Sequence, residues 1–305
     1  MVPNLELLRL DVVADAPTAS DLLRNAPPFK PLRMRRLAVN NGWDGEASVE
    51  ALAASVGKHA ALRELALHEA PLETAPAWDA IVDAAISRRL TALRLADCSL
   101  SPASTPGLAR LLTDAKSLVF LAVHNNFEPL FTDAANAAPF CSALRASSLA
   151  TLVLAGVELW AVPNVGSSII EALVGHPTMQ NLALWCNYVQ PADRERVGGL
   201  LASLVSSPFS ALDALDVACC DLGPHGLKPF FEGLAAPGCR LRSLTCDDND
   251  ATARFARDCL LPAIKQNASL RYLKASSSAR AAPAVAEAER MVQSRGGVSD
   301  VVSRP

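Results

Sequence analysis

The sequence predicts an α/β solenoid, in which a short strand and a helix alternate along the chain. A leucine recurs at the fourth position of ten successive copies of one short motif within 305 residues. Successive motifs begin 28 to 33 residues apart, which is a period typical of stacked structural repeats. Stretches with helical spacing lie between the motifs. The ten leucines are Leu8, Leu37, Leu65, Leu93, Leu121, Leu152, Leu182, Leu215, Leu244 and Leu273.

Each motif is predicted to form a strand with one buried side. Positions 4 and 6 of the motif are two residues apart, so on an extended chain they point to the same side. Positions 3, 5 and 7 point to the opposite side, which we call the strand face. Because helices need more width than strands, we expect a curved horseshoe arc, with the parallel strands on its concave side and the helices on its convex side.

The segments between motifs predict helices. Residues 78 to 89 place Trp78, Ile81, Val82 and Ile86 on one apolar stripe. Pro229 falls inside residues 224 to 236, so we expect the first turn of that helix to be broken. The other predicted helices are residues 46 to 57, 105 to 115, 164 to 174, 193 to 206, 252 to 266 and 283 to 294.

The motif resembles that of leucine-rich-repeat proteins. Its clearest copies are LTALRLADCSL (90 to 100), MQNLALWCNYV (179 to 189) and LDALDVACCDL (212 to 222). They match L-x-x-L-x-L-x-x-N/C-x-L with conservative exchanges. The common step of 28 to 29 residues is similar to that of the ribonuclease-inhibitor subclass, whose repeats pair a strand with a full helix. The resemblance covers nearly the whole chain and implies a surface for binding.

Position 9 of the motif is predicted to have a structural role. There the chain leaves the strand, and an Asn side chain can bond the backbone groups that this turn takes out of the sheet. A thiol can replace Asn with weaker bonding. The residues are Cys98, Asn126, Asn187, Cys220 and Asn249, with Gly42, Ala70, Val157 and Ser278 in the weaker copies.

Length and composition favour one elongated domain. We expect residues 1 to 305 to form a single leucine-rich-repeat domain of about ten repeats, with 281 to 305 as a C-terminal capping helix and tail. The net charge of −3 shows no basic footprint, so neither nucleic acid nor an anionic membrane is expected as a partner. We expect a monomer.

The eight cysteines and the N-terminus favour a cytoplasmic protein. The first residues, MVPNLELLRLDVVAD, lack a basic segment followed by an apolar run. The cysteines show no CxxC spacing, and reduced thiols are the default in a cytosolic chain of this length. Cys186 and Cys219 share position 8 in adjacent repeats, and Cys220 follows. A disulfide or a soft-metal site is geometrically conceivable there.

Contact residues are sought on the strand face, because the core positions are already assigned. Position 5 is mostly small, and position 7 alternates between large and small residues through its middle. Exposed aromatic residues are typical anchors of interfaces, although Phe120 and Trp185 could merely fill a shallow trough. The predicted partner-binding residues are His68, Phe120, His124 and Trp185, flanked by Arg94 on one side and by Asp216 and Asp247 on the other.

The sequence predicts no catalytic site, metal or cofactor. His68 and His124 share position 7 two repeats apart, roughly 10 Å between their strands, so they could share a metal only at full reach. Asp97 is a conceivable third zinc ligand. The chain has no nucleophile elbow, phosphate-binding glycine loop or HExxH helix.

The sequence therefore favours a non-catalytic scaffold that binds an unknown protein partner on its concave face. One alternative is a regulator of a small GTPase, since the activator of the Ran GTPase is similar in using a ribonuclease-inhibitor-type repeat arc. Its acidic tail is absent, because this chain ends in RGGVSDVVSRP. Another alternative is a sensor or adaptor fragment of a larger immune or ubiquitin-ligase protein.

Overall fold

The structure is a computed structural model, and it describes residues 34–41, 43, 45–125, 129–275 and 283–296, with the backbone alone at 7–11. The described chain divides after Leu149 into two compact units. Asn126, the polar end of the last motif after residue 275, the segments 12–33 and 281–282, and the tail from residue 297 lie outside the described residues. The prediction of a single domain stays a prediction.

The first unit is built from parallel strands in chain order. They are β1 (Leu7–Asp11), β2 (Arg36–Asn40), β3 (Glu64–His68), β4 (Ala92–Ala96) and β5 (Phe120–His124). The motif leucines pair directly across the strands, Leu37 with Leu65, Leu65 with Leu93 and Leu93 with Leu121. The last three are fully buried. The register that the leucine column predicts is therefore the register of the sheet.

Helices follow the strands of the first unit. They are α1 (Glu46–Val56), α2 (Ala75–Arg88), α3 (Thr105–Asp114) and α4 (Ala134–Arg145). Most of the predicted apolar stripe of α2 is buried, with Trp78, Ile81 and Val82 at most 2% exposed, whereas Ile86 is partly exposed. The helix α4 was not predicted. Asp133 caps it by accepting a hydrogen bond from the Asn136 N–H at 2.8 Å, although Pro139 lies inside it.

The second unit repeats the same arrangement. Its parallel strands are β6 (Thr151–Ala155), β7 (Asn181–Ala183), β8 (Ala214–Asp216), β9 (Ser243–Thr245) and β10 (Tyr272–Lys274). Leu152, Leu182, Leu215, Leu244 and Leu273 pair in register and are at most 3% exposed. The predicted class, an α/β leucine-rich-repeat solenoid, is confirmed within both units.

The second unit also has helices after its strands, and two of them are short and joined by a π turn. The helices are α5 (Pro163–Leu173), α6 (Arg194–Ser206), α7 (Gly223–Leu234), α8 (Ala253–Phe255), α9 (Leu261–Gln266) and α10 (Pro283–Gln293). The expected break near Pro229 is wrong, because α7 continues through it while Leu227, Phe230 and Phe231 hold it in the core. A π turn, Ala256–Leu260, joins α8 to α9 just before Pro262.

Position 9 has the structural role that the sequence predicts. The Asn187 side chain is fully buried, and its oxygen accepts hydrogen bonds from the N–H groups of Val157 and Leu159 at 3.2 and 3.0 Å. Its nitrogen donates to the carbonyls of Leu154 and Leu184 at 2.7 and 2.9 Å. Among the other described residues at this position, Cys98, Cys220 and Asn249 likewise bond the backbone of the repeat that precedes them.

Candidate functional site

The strand face of the first unit brings four of the predicted contact residues onto adjacent strands. Position 3 places Phe120 beside Ala92 across β4 and β5, and position 5 places Arg94 beside Ala122. Position 7 places His124 beside Ala96, which in turn pairs with His68. The small residues between them leave the larger side chains room to reach one another.

Arg94 and Phe120 form a stacked pair on this face. The guanidinium carbon of Arg94 lies 4.1 Å from the centre of the Phe120 ring. The Arg94 side chain is 43% exposed, so one side of the stack remains open to solvent. An attraction of this kind contributes about 0.5–1 kcal/mol at an exposed site. The stack therefore holds a planar cation and an aromatic ring together at the surface.

Glu64 lies between two arginines on the same face. Its carboxylate is 2.9 Å from Arg36 Nε and 3.7 Å from Arg94 Nη1. Burial lowers the pKa of Arg94, the Glu64 carboxylate raises it, and the Arg36 guanidinium lowers it. Arg94 remains charged at neutral pH because the ordinary pKa of arginine is so high. Two cations thus share one carboxylate.

The His68 ring is held at both of its nitrogens. Its Nε2 lies 3.1 Å from Asp97 Oδ2, and its Nδ1 lies 3.1 Å from Asn41 Oδ1. Asp97 and Asn41 both stand at position 8, where φ is 53° and 57°. This backbone conformation turns their side chains back toward the strand face. Asp97 was foreseen only as a conceivable metal ligand, and its contact with His68 is an addition from the structure.

His124 is buried rather than displayed, with 7% of its surface exposed. Burial lowers the pKa of His124 below its ordinary value of 6.5, Asp97 opposes that effect, and His68 adds to it. The folded protein therefore takes up a proton at His124 less readily than the unfolded chain does. The expectation that His124 is exposed as a contact residue is therefore wrong, because its side chain is buried.

This burial gives a testable pH dependence. As the pH falls below 6.5, the unfolded chain gains a proton at this histidine before the folded protein does, so stability is lost and then levels off below the folded pKa. We expect His124→Asn to lose less stability than the parent between about pH 7.5 and about pH 5.5. Urea unfolding at both pH values measures it. Burial also lowers the pKa of His59, but both proteins contain this histidine, so its contribution to the pH dependence cancels when they are compared. Equal pH dependence of both proteins would contradict the assignment.

The second unit places its three predicted residues differently. Trp185 is partly exposed, but Asp216 and Asp247 are only 1% and 3% exposed. Asp216 accepts a hydrogen bond from the Ala218 N–H at 3.0 Å. Asp247 lies 2.8 Å from the ammonium of Lys274, whose side chain is 43% exposed. The Asp216 carboxylate thus bonds the turn that follows its own strand, whereas Asp247 joins its repeat to β10 through Lys274. Lys274 is the exposed charge that the predicted patch left out.

Among the described residues, no group of three or more His, Cys, Asp or Glu side chains has a geometry that could hold a metal ion. In the same part of the chain, every helix is too short or too polar to cross a bilayer.

Comparison with protein-family models and with curated proteins finds no match. Among solved structures, the chain is similar to one described as the crystal structure of a TLR13–ssRNA13 complex. The sequences are 14% identical, the match covers 80% of this chain and 28% of that chain, and the TM-score is 0.36. This chain thus spans less than a third of that protein, and a likeness at this level concerns the fold alone.

The expectation that nucleic acid is excluded as a partner does not stand. The matched structure is by its title a complex with ssRNA13. The expectation rested on the net charge of −3, which is a sum over the whole chain. Such a sum does not report local clusters, and Arg36 and Arg94 share a single carboxylate.

Proposed function

We propose that this chain is a non-catalytic scaffold that binds a protein partner through the strand face of its first unit. The observation that carries the proposal is the stack of Arg94 on Phe120, half open to solvent at 43% exposure of the arginine. Arginine and aromatic side chains are among those that contribute most to protein interfaces. Without a partner, an exposed pair of this kind contributes only about 0.5–1 kcal/mol, whereas at an interface its two side chains can contribute considerably more.

The local charge specifies the chemistry of the partner. Arg36 is 60% exposed, and together with Arg94 it faces the single carboxylate of Glu64. Among the described residues, this group therefore carries one positive charge in excess. An acidic side chain of a partner can bind the guanidinium of Arg94, while a neighbouring apolar side chain packs on Phe120. We expect the partner to present an acidic residue beside an apolar or aromatic one.

The surroundings of His68 favour binding over catalysis. Because Asp97 and Asn41 hold both ring nitrogens, the ring is fixed in orientation and both of its polar atoms already have a partner within the chain. All eight cysteines are free thiols, which fits a reducing compartment. A monomeric, cytoplasmic protein without a cofactor is part of the same proposal, as is membership of the ribonuclease-inhibitor-like subclass.

Selection from a random peptide display library, followed by affinity measurement, tests the proposal. We expect the enriched peptides to carry Asp or Glu next to an apolar residue. Arg94→Ala is expected to weaken their binding about tenfold or more, since central interface residues commonly contribute that much.

Arg110→Ala is the matched control. Arg110 lies on α3, is 39% exposed and pairs with Asp79 and Asp83, so its loss changes the charge equally but leaves the strand face intact. Its affinity should stay within about twofold of the parent value. Equal loss in the two variants would contradict the proposed surface. Trp185→Ala tests separately whether the second unit contributes.

Two other outcomes would overturn the proposal. A fluorescein-labelled single-stranded RNA that binds the parent and not Arg94→Ala would assign the same surface to nucleic acid. Acceleration of single-turnover GTP hydrolysis by a small GTPase would contradict the non-catalytic role and favour the regulator alternative.

A further inference from the structure

Cys186 and Cys219 occupy equivalent turns at the ends of β7 and β8. The Cys186 N–H donates to the Ala218 carbonyl at 3.0 Å, and the Cys219 N–H donates to the Asp247 carbonyl at 3.0 Å. These bonds continue the strand pairing into the turns, so the two residues stand about one strand spacing, roughly 4.8 Å, apart. The Cα atoms of disulfides lie about 4.4–6.8 Å apart, so this spacing is suitable for a bridge.

The two cysteines also share a backbone conformation. Their φ angles are 56° and 53°, so their side chains leave the turn side by side in the same direction. Every described residue at position 8 has a positive φ, which favours Gly, Asn or Asp. The backbone conformation therefore does not explain why cysteine stands at two of these positions. These residues are Asn41, Glu69, Asp97, Asn125, Gly156, Cys186, Cys219 and Asp248.

Cys186 and Cys219 differ from the neighbouring Cys220 in their exposure to solvent. Cys186 and Cys219 are both partly exposed, whereas Cys220 is buried. The Cys220 sulfur lies 3.2 Å from the Leu184 carbonyl oxygen and 3.4 Å from that of Ala218, so it points into the core. Proximity and access thus coincide at Cys186 and Cys219.

Asp248 restrains the reactivity of the pair. The Cys219 thiol donates to Asp248 Oδ2 at 3.7 Å. Burial, followed by the charges of Cys186 and Asp248 and the hydrogen bonds to both, raises the pKa of Cys219 to about 12. Because the thiolate is the reactive form, the carboxylate keeps Cys219 in its less reactive state.

We propose that Cys186 and Cys219 form a thiol–disulfide modification site, which takes a small-molecule disulfide and closes to a disulfide between two neighbouring repeats. With oxidised glutathione, the Cys186 thiolate attacks one glutathione sulfur and releases one glutathione thiolate. The Cys219 thiolate then attacks the Cys186 sulfur and releases the second. Two cysteine thiols are oxidised, one glutathione disulfide is reduced, and the two cysteine protons go to the released glutathiones. The site is independent of the proposed binding surface.

Incubation of the folded chain with oxidised glutathione, alkylation of the remaining thiols and tryptic mass mapping test the proposal. Trypsin cuts after Arg145, Arg194, Arg196 and Arg240, so Cys186 and Cys219 fall in separate peptides, residues 146–194 and 197–240. We expect these two peptides to be linked. The link should disappear in Cys219→Ser and persist in Cys220→Ser, which alters the adjacent buried thiol. In guanidinium, where the turns are lost, the same link should no longer predominate.

The restraint by Asp248 gives a second readout. Asp248→Asn keeps a residue suited to the turn while it removes the charge. A lower pKa increases the thiolate fraction and weakens its nucleophilicity only partly, so we expect about threefold faster bridging. An unchanged rate would overturn the role of Asp248. Stable glutathione adducts on both cysteines without a bridge, or a bridge that survives in Cys219→Ser, would overturn the site.

Discussion

Replacement of Asn187 by alanine is expected to destabilise the second unit by about 3–5 kcal/mol, because it leaves several buried backbone groups without a hydrogen-bond partner. The side chain is 0% exposed and bonds Val157, Leu159, Leu154 and Leu184. Water cannot replace these bonds without opening the turn. Equilibrium unfolding in urea measures the loss.

Asn187→Cys is the informative control. Cysteine stands at the equivalent position as Cys220, where its sulfur reaches the Leu184 carbonyl oxygen at 3.2 Å. A thiol restores part of the bonding, so we expect Asn187→Cys to lose clearly less stability than Asn187→Ala. Equal losses, or a loss below about 1 kcal/mol in the alanine variant, would show that the side-chain bonds do not carry the turn.

Leu121→Ala is expected to destabilise the first unit by about 2–5 kcal/mol, the range for truncation of a buried leucine. Leu121 is 0% exposed and pairs with Leu93 across the sheet. Because repeats are stabilised by their neighbours, the effect should extend beyond its own repeat. Urea unfolding gives the total loss, and amide hydrogen exchange in β4 shows how far it spreads.

Val119→Ala is the matched control for this core substitution. Val119 lies two residues away and is 45% exposed, so its truncation should change stability by less than about 0.5 kcal/mol. A similar loss in both variants would contradict the burial of the leucine column.

The fold was predictable where one residue type repeats at one position. The leucine column gave the strand register, since each leucine must be buried beside its equivalents. The helix α4 was missed because Pro139 and its many alanines weaken the apolar periodicity, whereas its cap, Asp133, could have signalled it. Pro229 led to the opposite error, the prediction of a helix break that does not occur. The packing of Phe230 and Phe231 outweighs the one backbone hydrogen bond that proline removes.

The sequence predicted which residues lie on the strand face, but not which contacts they make there. Alternation along a strand places Arg94, Phe120 and His68 on the strand face. It does not say how deeply a residue is buried there, which depends on the size and charge of its neighbours. Asp216 and Asp247 illustrate this, because both are buried, Asp216 with its carboxylate on the turn that follows its strand and Asp247 with its carboxylate on Lys274 of the next repeat.

The hydrogen bonds of the position 9 side chains run from one repeat to the repeat before it, so the series of repeats has a direction. Asn187 bonds the backbone of the repeat before it, and Asn249 does the same for Cys220 and Leu222. A repeat that is followed by such an asparagine is therefore complete only when its successor is in place. During synthesis, which proceeds from the N-terminus, we expect such a repeat to become ordered only after the next one has emerged. At the last described strand, Glu289 of α10 accepts from the Ala275 N–H at 2.8 Å, so a helix serves there instead of another repeat.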